Sequence, residues 1–368
     1  MKFIPYLIPI GFLSLLIVSV IYLARKWSWI MGADSTTWFY VFFAVVPVLF
    51  MVGLIKNINA VDYMGHAFYK IASVAMGLYL FITMAFLAVD LVALFIKLKP
   101  MQFGILSFTL FSVLALGSYF NEQYLRTSNY KVPLKGLSQT IDSVHLTDIH
   151  IGHFRNNGFL NKLVKQTNAQ NPDVIFITGD YLDSKYALNS SHFEPLQNLK
   201  APVYFVDGNH DHATDNDSIL AMMRSAGVNV LQNEIAQFKD LQIIGLEHMV
   251  ADRETFDVHA SPGKPTIRET LNRLPIKSDK PSVILHHAPN GIKHAEAHGV
   301  DLYLAGHTHG GQIFPFNYVS NLMFEYNSGM NIYKSLKVFV SEGVGTFGPP
   351  FRLGTKSELV NLQLIPTE

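Results

Sequence analysis

Apolar positions fall into two patterns along this chain. Over the first 120 positions the apolar runs are long and barely interrupted, covering residues 3–24, 37–55, 71–96 and 103–120. A helix needs about 20 apolar residues to cross the hydrocarbon core of a bilayer, so each run predicts a membrane-spanning helix. Pro9 and Pro47 fall inside two of these runs, where membrane helices tolerate kinks. Trp27, Trp29 and Trp38 crowd the first connection, as aromatic residues do at a membrane–water boundary. The first run stops at Arg25-Lys26 without a small-residue cleavage site, and further spans follow. That predicts a retained helix rather than a removed secretory leader.

Beyond Phe120 the runs shorten. Residues 121–135 are polar, hold Pro133 and read as a linker. Helical patterns follow at 159–169, 217–225 and 267–273, and strand-like runs at 228–231, 241–246, 337–340 and 359–364. Five more strand-like runs share one ending. They lead into Asp148-Ile149-His150, Gly179-Asp180, Asp207-Gly208-Asn209-His210-Asp211, His286-His287 and Gly306-His307-Thr308-His309. Strands alternating with helices predict an α/β sandwich with its helices outside. The carboxyl ends of such strands are where open α/β sheets place ligands.

Charge sharpens the division. Up to Phe120 the charged residues are Lys2, Arg25, Lys26, Lys56, Lys70, Lys97, Lys99, Asp34, Asp62 and Asp90, and His66 is the sole histidine. A formal net charge of +0 argues against a nucleic-acid partner. The absence of cysteine excludes a disulfide framework, a cysteine-built zinc finger and a cysteine nucleophile. Four spans put both termini on one side. That side carries Lys2, Lys56, Lys70, Arg126, Lys131 and Lys135, against Arg25, Lys26, Lys97 and Lys99 on the other. The bias, which rests on the cations after the fourth span, predicts a multi-pass inner-membrane protein with its C-terminal domain in the cytoplasm. Asp90 lies inside the third run, where a carboxylate costs about 2.5–3.5 kcal/mol. It reads as a helix-packing or near-interface group, or else as a lipid-headgroup or ion site.

The strand-end residues offer only oxygen and nitrogen ligands, a set suited to Mn²⁺, Fe or Zn²⁺. They are too many for one tetrahedral ion and about right for two ions sharing a carboxylate, about 3.5–4 Å apart, the arrangement used in displacement at phosphorus.

Asp148-Ile149-His150, Gly179-Asp180-Tyr181-Leu182-Asp183, Gly208-Asn209-His210-Asp211, His287-Ala288-Pro289 and Gly306-His307-Thr308-His309 resemble, in order and rough spacing, the five motifs of the calcineurin-like metallophosphoesterases. Gly310-Gly311-Gln312, Gly343-Val344-Gly345-Thr346 and Arg352 resemble the bacterial membrane-associated branch of that family. The resemblance runs from about Val132 to the C-terminus and covers none of the membrane part. It implies a calcineurin-like αββα sandwich over 130–368, after a four-helix transmembrane domain over 1–125. Asp148, His150 and His309 would hold one divalent metal ion, and Asn209, His287 and His307 a second, with Asp180 shared. Mn²⁺ is expected first, with Fe or Zn²⁺ as alternatives. His210 would stabilise the phosphoryl oxygens or protonate the leaving group, and Asp183 would orient His210. A metal-bridging hydroxide would be the nucleophile.

The spacing of the family's His-x-Pro motif selects His287 over His286, while His145, His153, His212 and His248 read as surface or supporting histidines. Asp207, Glu247-His248 and Glu342 depart from the branch's usual residues without falling on a ligand position. The aromatic stretch 313–324, which includes Phe316 and Phe324, reads as a core-covering loop or as an apolar lip that admits a lipid tail. The expected activity is hydrolysis of a phosphodiester or pyrophosphate, on a lipid-linked substrate at the membrane. The alternatives are a phosphomonoesterase on a soluble substrate and a non-catalytic membrane sensor.

Overall fold

The computed structural model describes residues 4–255 and 263–367; Lys2 and Phe3, counted above, lie outside them. The chain falls into two compact units, Met1–Asn121 with Gly348–Leu353, and Glu122–Phe347 with Gly354–Glu368.

The first unit is built on four helices, α1 (Ile4–Met31), α2 (Thr37–Val52), α3 (Tyr63–Ala93) and α4 (Pro100–Gln123), with one π-helical turn, Gly53–Asn57, after α2. All four are long and apolar enough to cross a membrane. Their outward side chains are apolar, Leu15, Val18, Phe42, Leu91 and Leu116 among them. A helix that is apolar all round belongs in a lipid or core setting. α1 continues past Arg25-Lys26, so Trp27 and Trp29 lie in its last turns and Trp38 opens α2. The expected cluster in a connection is therefore corrected. Arg and Lys are good helix formers, and Lys26 ion-pairs with Asp90 on α3, which also accepts the Tyr22 hydroxyl. Asp90 is thus a helix-packing group with a cation of its own. Trp27 packs against Phe43, Phe86 and Phe108 in the centre of the unit. Phe351, from the returning segment, lies edge-on to Phe81 and over Gly77, where a Cβ would come within 2.4 Å of its ring.

The second unit holds two six-stranded sheets. Its elements are β1 (Leu125–Lys135), β2 (Ile141–Leu146), α5 (Asn157–Asn168), β3 (Val174–Thr178), β4 (Val203–Val206), α6 (Asn209–Thr214), α7 (Asn216–Ser225), β5 (Asn229–Val230), β6 (Glu234–Phe238), β7 (Leu241–Gly245), α8 (Ile267–Leu271), β8 (Ser282–Leu285), α9 (Ile292–Ala297), β9 (Leu302–Ala305), α10 (Phe316–Met323), β10 (Gly329–Tyr333), β11 (Leu336–Val340) and β12 (Ser357–Thr367). The sheet orders are β1-β12-β2-β3-β4-β5 and β10-β11-β9-β8-β7-β6. Alternate side chains sort into layers, because successive residues of a strand face opposite ways. Val174 and Phe176 join Val283, Leu285, Leu302, Leu304 and Phe339 between the sheets. Ile175 and Ile177 turn outward under α5 and α7, while Ile284 and Tyr303 turn outward under α8 and α9.

The expected linker over 121–135 is corrected to a strand from Leu125 onward. β1 pairs in parallel with β12 from Leu125↔Ser357 to Lys135↔Thr367. Pro133 is tolerated because β1 is an edge strand, and Val132 and Leu134 bury the alternate side chains. β2, β3 and β4 run parallel, as do β7, β8 and β9. Each set therefore delivers its carboxyl ends to one edge of its sheet.

Candidate metal centre

Those edges carry the chemistry. Asp148 and His150 follow β2, Asp180 follows β3, Asn209 and His210 open α6 after β4, His287 follows β8, and His307 and His309 follow β9. Asp148, His150, Asp180, His307 and His309 all have positive φ, between 50° and 73°. This left-handed backbone is uncommon outside glycine, though Asn, Asp and His are enriched there. It turns the chain sharply enough for each side chain to look back across the strand ends.

Two neighbouring groups of donors result. Asp148, His150 and His309 each offer an atom within 4.8 Å of the others, as do Asp148, Asp180 and His287. His150 Nε2 lies 3.1 Å from His309 Nε2, which is 3.3 Å from Asp148 Oδ1. His287 Nε2 is 3.2 Å from Asp180 Oδ2. His307 Nδ1 is 2.8 Å from Asn209 Oδ1 and 3.2 Å from His287 Nε2. Asp180 stands between the groups, 3.8 Å from His150 Nε2. His210 forms a further group with His150 and Asp180. His287 Nδ1 donates to the Thr178 carbonyl at 2.7 Å, aiming Nε2 inward, the orientation that a supporting hydrogen bond imposes on metal-binding histidines. His286 instead spends its ring on the Ala288 carbonyl and the Tyr303 hydroxyl.

This packing of buried donors fits divalent cations. With the His150 and His309 Nε2 atoms 3.1 Å apart, at most one of them can carry a proton between them, and His150 Nδ1 is buried without a hydrogen-bond partner. The all-nitrogen-and-oxygen set suits Mn²⁺, Fe or Zn²⁺. Without metal the groups hold one another's charge. Burial raises the pKa of Asp148, but His309, His150 and His287 outweigh it and hold the carboxyl below the usual range. Burial is likewise outweighed at Asp180 by His287, His210 and His150, and its pKa is held well down. Burial disfavours charge on His287, yet Asp180 and Asp148 raise its pKa to about 10. His210 goes the other way: burial dominates and lowers it to about 4, so the ring is neutral.

Asp183 makes no hydrogen bond to His210. Its carboxylate packs over Gly152, where a Cβ would overlap it, and the cations that act on it are His150 and Arg155. Burial raises it to about 7, with those two cations offsetting only part of the effect.

Three supporting features were not anticipated. The Asp211 carboxylate accepts from the backbone N–H of Tyr181 (3.0 Å), Leu182 (3.2 Å) and Gly208 (2.9 Å), tying the Asp180 turn to the Asn209 turn. Arg155 pairs in the interior with Glu122 and donates to Thr346 Oγ1 at 2.9 Å. Nothing local in the sequence marks this pair, which spans 33 positions. Third, two of the departures from the branch pattern, Asp207 and Glu247-His248, come together, while Glu342 lies apart, accepting from the Lys356 backbone N–H at 2.6 Å. Asp207 accepts from the His248 backbone N–H at 2.6 Å and faces His212 at 3.1 Å. The His248 ring centroid lies 6.0 Å from that of His287 and 6.4 Å from that of His307. His145, His153 and His248 are buried, so of the two readings, surface or supporting, they take the supporting one.

The stretch 313–324 is largely the helix α10, not a loop. Phe314, Tyr318, Val319 and Leu322 are exposed on it, Leu322 at 89%. The Phe324 ring meets His307 edge-on at 5.4 Å. Asn327 anchors this helix to the His307 turn, accepting from Thr308 Oγ1 at 2.6 Å and from Ser320 Oγ at 2.5 Å.

With this geometry in view, residues 143–311 match the calcineurin-like phosphoesterase family. An uncharacterized metallophosphoesterase of Campylobacter jejuni is 30% identical over 267 residues, covering 70% of this chain and 69% of that protein. One from Helicobacter pylori strain J99 is 31% identical over 238 residues, 63% of this chain and 62% of that protein. A transmembrane protein with metallophosphoesterase domain from Danio rerio is 28% identical over 277 residues, 71% of this chain and 62% of that protein. The chain thus spans about 62% of the length of the Helicobacter relatives it matches. It belongs to the calcineurin-like phosphoesterase family. Its four apolar helices and its transmembrane relatives make it a membrane protein that carries a metallophosphoesterase domain.

Proposed function

We propose that this chain is a membrane-bound phosphoesterase. It would use two divalent metal ions to hydrolyse a phosphodiester or pyrophosphate bond on a lipid-linked substrate. The observation that carries this is the convergence of Asp148, His150, Asp180, Asn209, His287, His307 and His309 beside an apolar helix that is left exposed. Residues 1–125 would anchor the chain and 130–368 form the catalytic domain, and the charge bias supports a cytoplasmic position for it.

Asp148, His150 and His309 would hold the first ion and Asn209, His287 and His307 the second, with Asp180 shared. When bound, such a pair supplies an activated water and neutralises charge on the phosphoryl oxygens. The chain's own groups do the rest. Neutral His210, its ring centroid 4.9 Å from that of His150, donates a ring N–H to a phosphoryl oxygen or to the leaving oxygen. Its backbone N–H donates to Asp180 Oδ1 at 2.8 Å, which fixes the turn that carries it. Asp183 acts on the His150 side, through charge, and not by a bond to His210. α10 and Phe324 give an acyl or isoprenoid tail an apolar surface next to His307.

The test is hydrolysis of bis(p-nitrophenyl) phosphate by the detergent-solubilised full chain, stripped of metal and resupplied with Mn²⁺, beside Asp180→Asn. Metal-dependent turnover that vanishes in the variant is expected. Folded protein that takes up no metal and turns over no ester with Mn²⁺, Fe²⁺ or Zn²⁺ would establish the non-catalytic sensor instead.

A further inference from the structure

The helical unit carries a feature with no role in phosphoester chemistry. Val18, Ile21, Tyr22, Arg25, Lys26 and Trp29 line a groove of about 580 Å³ along one side of α1. Their spacing of 0, 3, 4, 7, 8 and 11 positions is one helical face, and it spans about 16 Å at 1.5 Å per residue. The stripe is graded: aliphatic at one end, cationic in the middle, indole at the other.

Depth gives the grading meaning. α1 has 28 residues, about 42 Å of helix, which matches a bilayer with its headgroups (about 40–45 Å) rather than the hydrocarbon core alone (about 30 Å). The apolar run ends at Ala24, so Arg25 and Lys26 stand where hydrocarbon gives way to phosphate. Asp90, three residues before the end of α3, marks the same level from the neighbouring helix through its pair with Lys26.

The two cations differ in their partners. Lys26 is neutralised by Asp90 and lies over the rings of Phe103 and Trp29, at 4.7 Å and 5.3 Å. Among the described residues Arg25 has no carboxylate; its hydrogen bond is to the Tyr40 hydroxyl, at 3.4 Å. A guanidinium at this depth needs an anion, and its planar fork matches phosphate in a bidentate way. We infer that this groove is a binding site for an anionic glycerophospholipid of the bilayer. Its phosphate would sit on Arg25, its polar headgroup beside Trp29, its glycerol region beside Tyr22, and an acyl chain along Ile21 and Val18. The site is independent of the metal centre, and its test does not depend on turnover.

The experiment is native mass spectrometry of the full chain in detergent, titrated with dioleoyl phosphatidylglycerol or dioleoyl phosphatidylcholine. One surface cation contributes about a fivefold preference for an anionic lipid. The wild type should retain phosphatidylglycerol at least that selectively, and Arg25→Gln should lose the selectivity. Lys97→Gln/Lys99→Gln, which removes two cations of the α3–α4 connection but none from the groove, should keep it. Unchanged selectivity in Arg25→Gln overturns the proposal, and so does equal loss in the lysine variant, which would mean diffuse charge rather than a site. A second measurement does not need the arginine variant to fold. The chain has three tryptophans, and Trp27→Phe/Trp38→Phe leaves Trp29 alone to report. Brominated phosphatidylglycerol should quench Trp29 more than brominated phosphatidylcholine at equal mole fraction. Equal quenching overturns the proposal.

Discussion

Metal binding at the proposed centre should be a proton-releasing event, and His287 sets its size. In the metal-free protein Asp180 and Asp148 overcome the effect of burial and raise His287 to about 10, and His150 is raised as well. At pH 7 His287 is three units below that value, so it is almost wholly protonated. Its Nε2 proton must leave before the nitrogen can bind a cation. Competition from that proton weakens binding about a thousandfold at pH 7, and relieves it about tenfold for each unit of rising pH. Asp148 and Asp180 are held low and release nothing in this range. Titrating metal-free protein with Mn²⁺ calorimetrically at pH 7, in two buffers of different ionisation enthalpy, should show about one proton released from His287 as its site loads. The apparent Kd should fall about tenfold between pH 6.5 and 7.5. The sign for stability follows from the same shift. A folded pKa above the unfolded value of 6.5 stabilises the metal-free fold fully below 6.5, and that contribution is lost as pH rises through about 10. The metal-free Tm should therefore drop more steeply than the metal-loaded Tm between pH 7 and 10. Buffer-independent heats, together with equal affinity at pH 6 and 8, would refute the reasoning.

Other substitutions probe the frame. Gly208 has φ −122°, which any residue can adopt, but a Cβ there would lie 2.2 Å from Asp180 Oδ1 and 2.5 Å from its backbone nitrogen. Gly208→Ala should lower turnover about a hundredfold with far-UV dichroism unchanged; unaltered kcat/KM would show that Asp180 need not stay in place. Arg155→Met leaves Glu122 charged and buried, at a cost of about 3–5 kcal/mol, and should lower Tm by roughly 6–20 °C. Adding Glu122→Gln should recover part of that loss in the same melt. Tyr318→Ser/Leu322→Ser should cut hydrolysis of a long-chain lipid phosphodiester about tenfold while sparing bis(p-nitrophenyl) phosphate. Equal loss on both substrates would remove α10 from substrate binding.

What could be read in the sequence was local and repeated. Val174-Ile175-Phe176-Ile177 is apolar at every position, which announces a strand covered on both faces. The Asp, Asn and His residues at five strand ends belong to one place because the strands that carry them run in parallel sets. What escaped was either long-range or masked by composition. β1 looked like a linker because Pro133 and its polar neighbours sit on an edge, where alternation is weak. α10 looked like covering because its apolar side chains are exposed, against the usual sense of hydrophobicity. The Arg155–Glu122 pair and the reach of Asp211 depend on approaches that no spacing encodes. Asp183 sits three residues from Asp180, but the turn directs it toward Gly152 and the His150 side rather than toward His210.

The left-handed turns at Asp148, His150, Asp180, His307 and His309 carry a consequence for how this protein tolerates change. Each holds an L-residue where glycine would rest more easily, at about 1 kcal/mol apiece. Five together forgo about 5 kcal/mol, of the order of a whole domain's margin of 5–15 kcal/mol. Glycine would relieve each turn, but at His309 it would also strip buried Asp148 of its strongest opposing charge, at about 3–5 kcal/mol. His309→Gly should therefore lower the melting temperature of the metal-free protein as it empties the centre. The strain at these turns is locked in by the charges around them, so durability and chemistry cannot be separated one turn at a time.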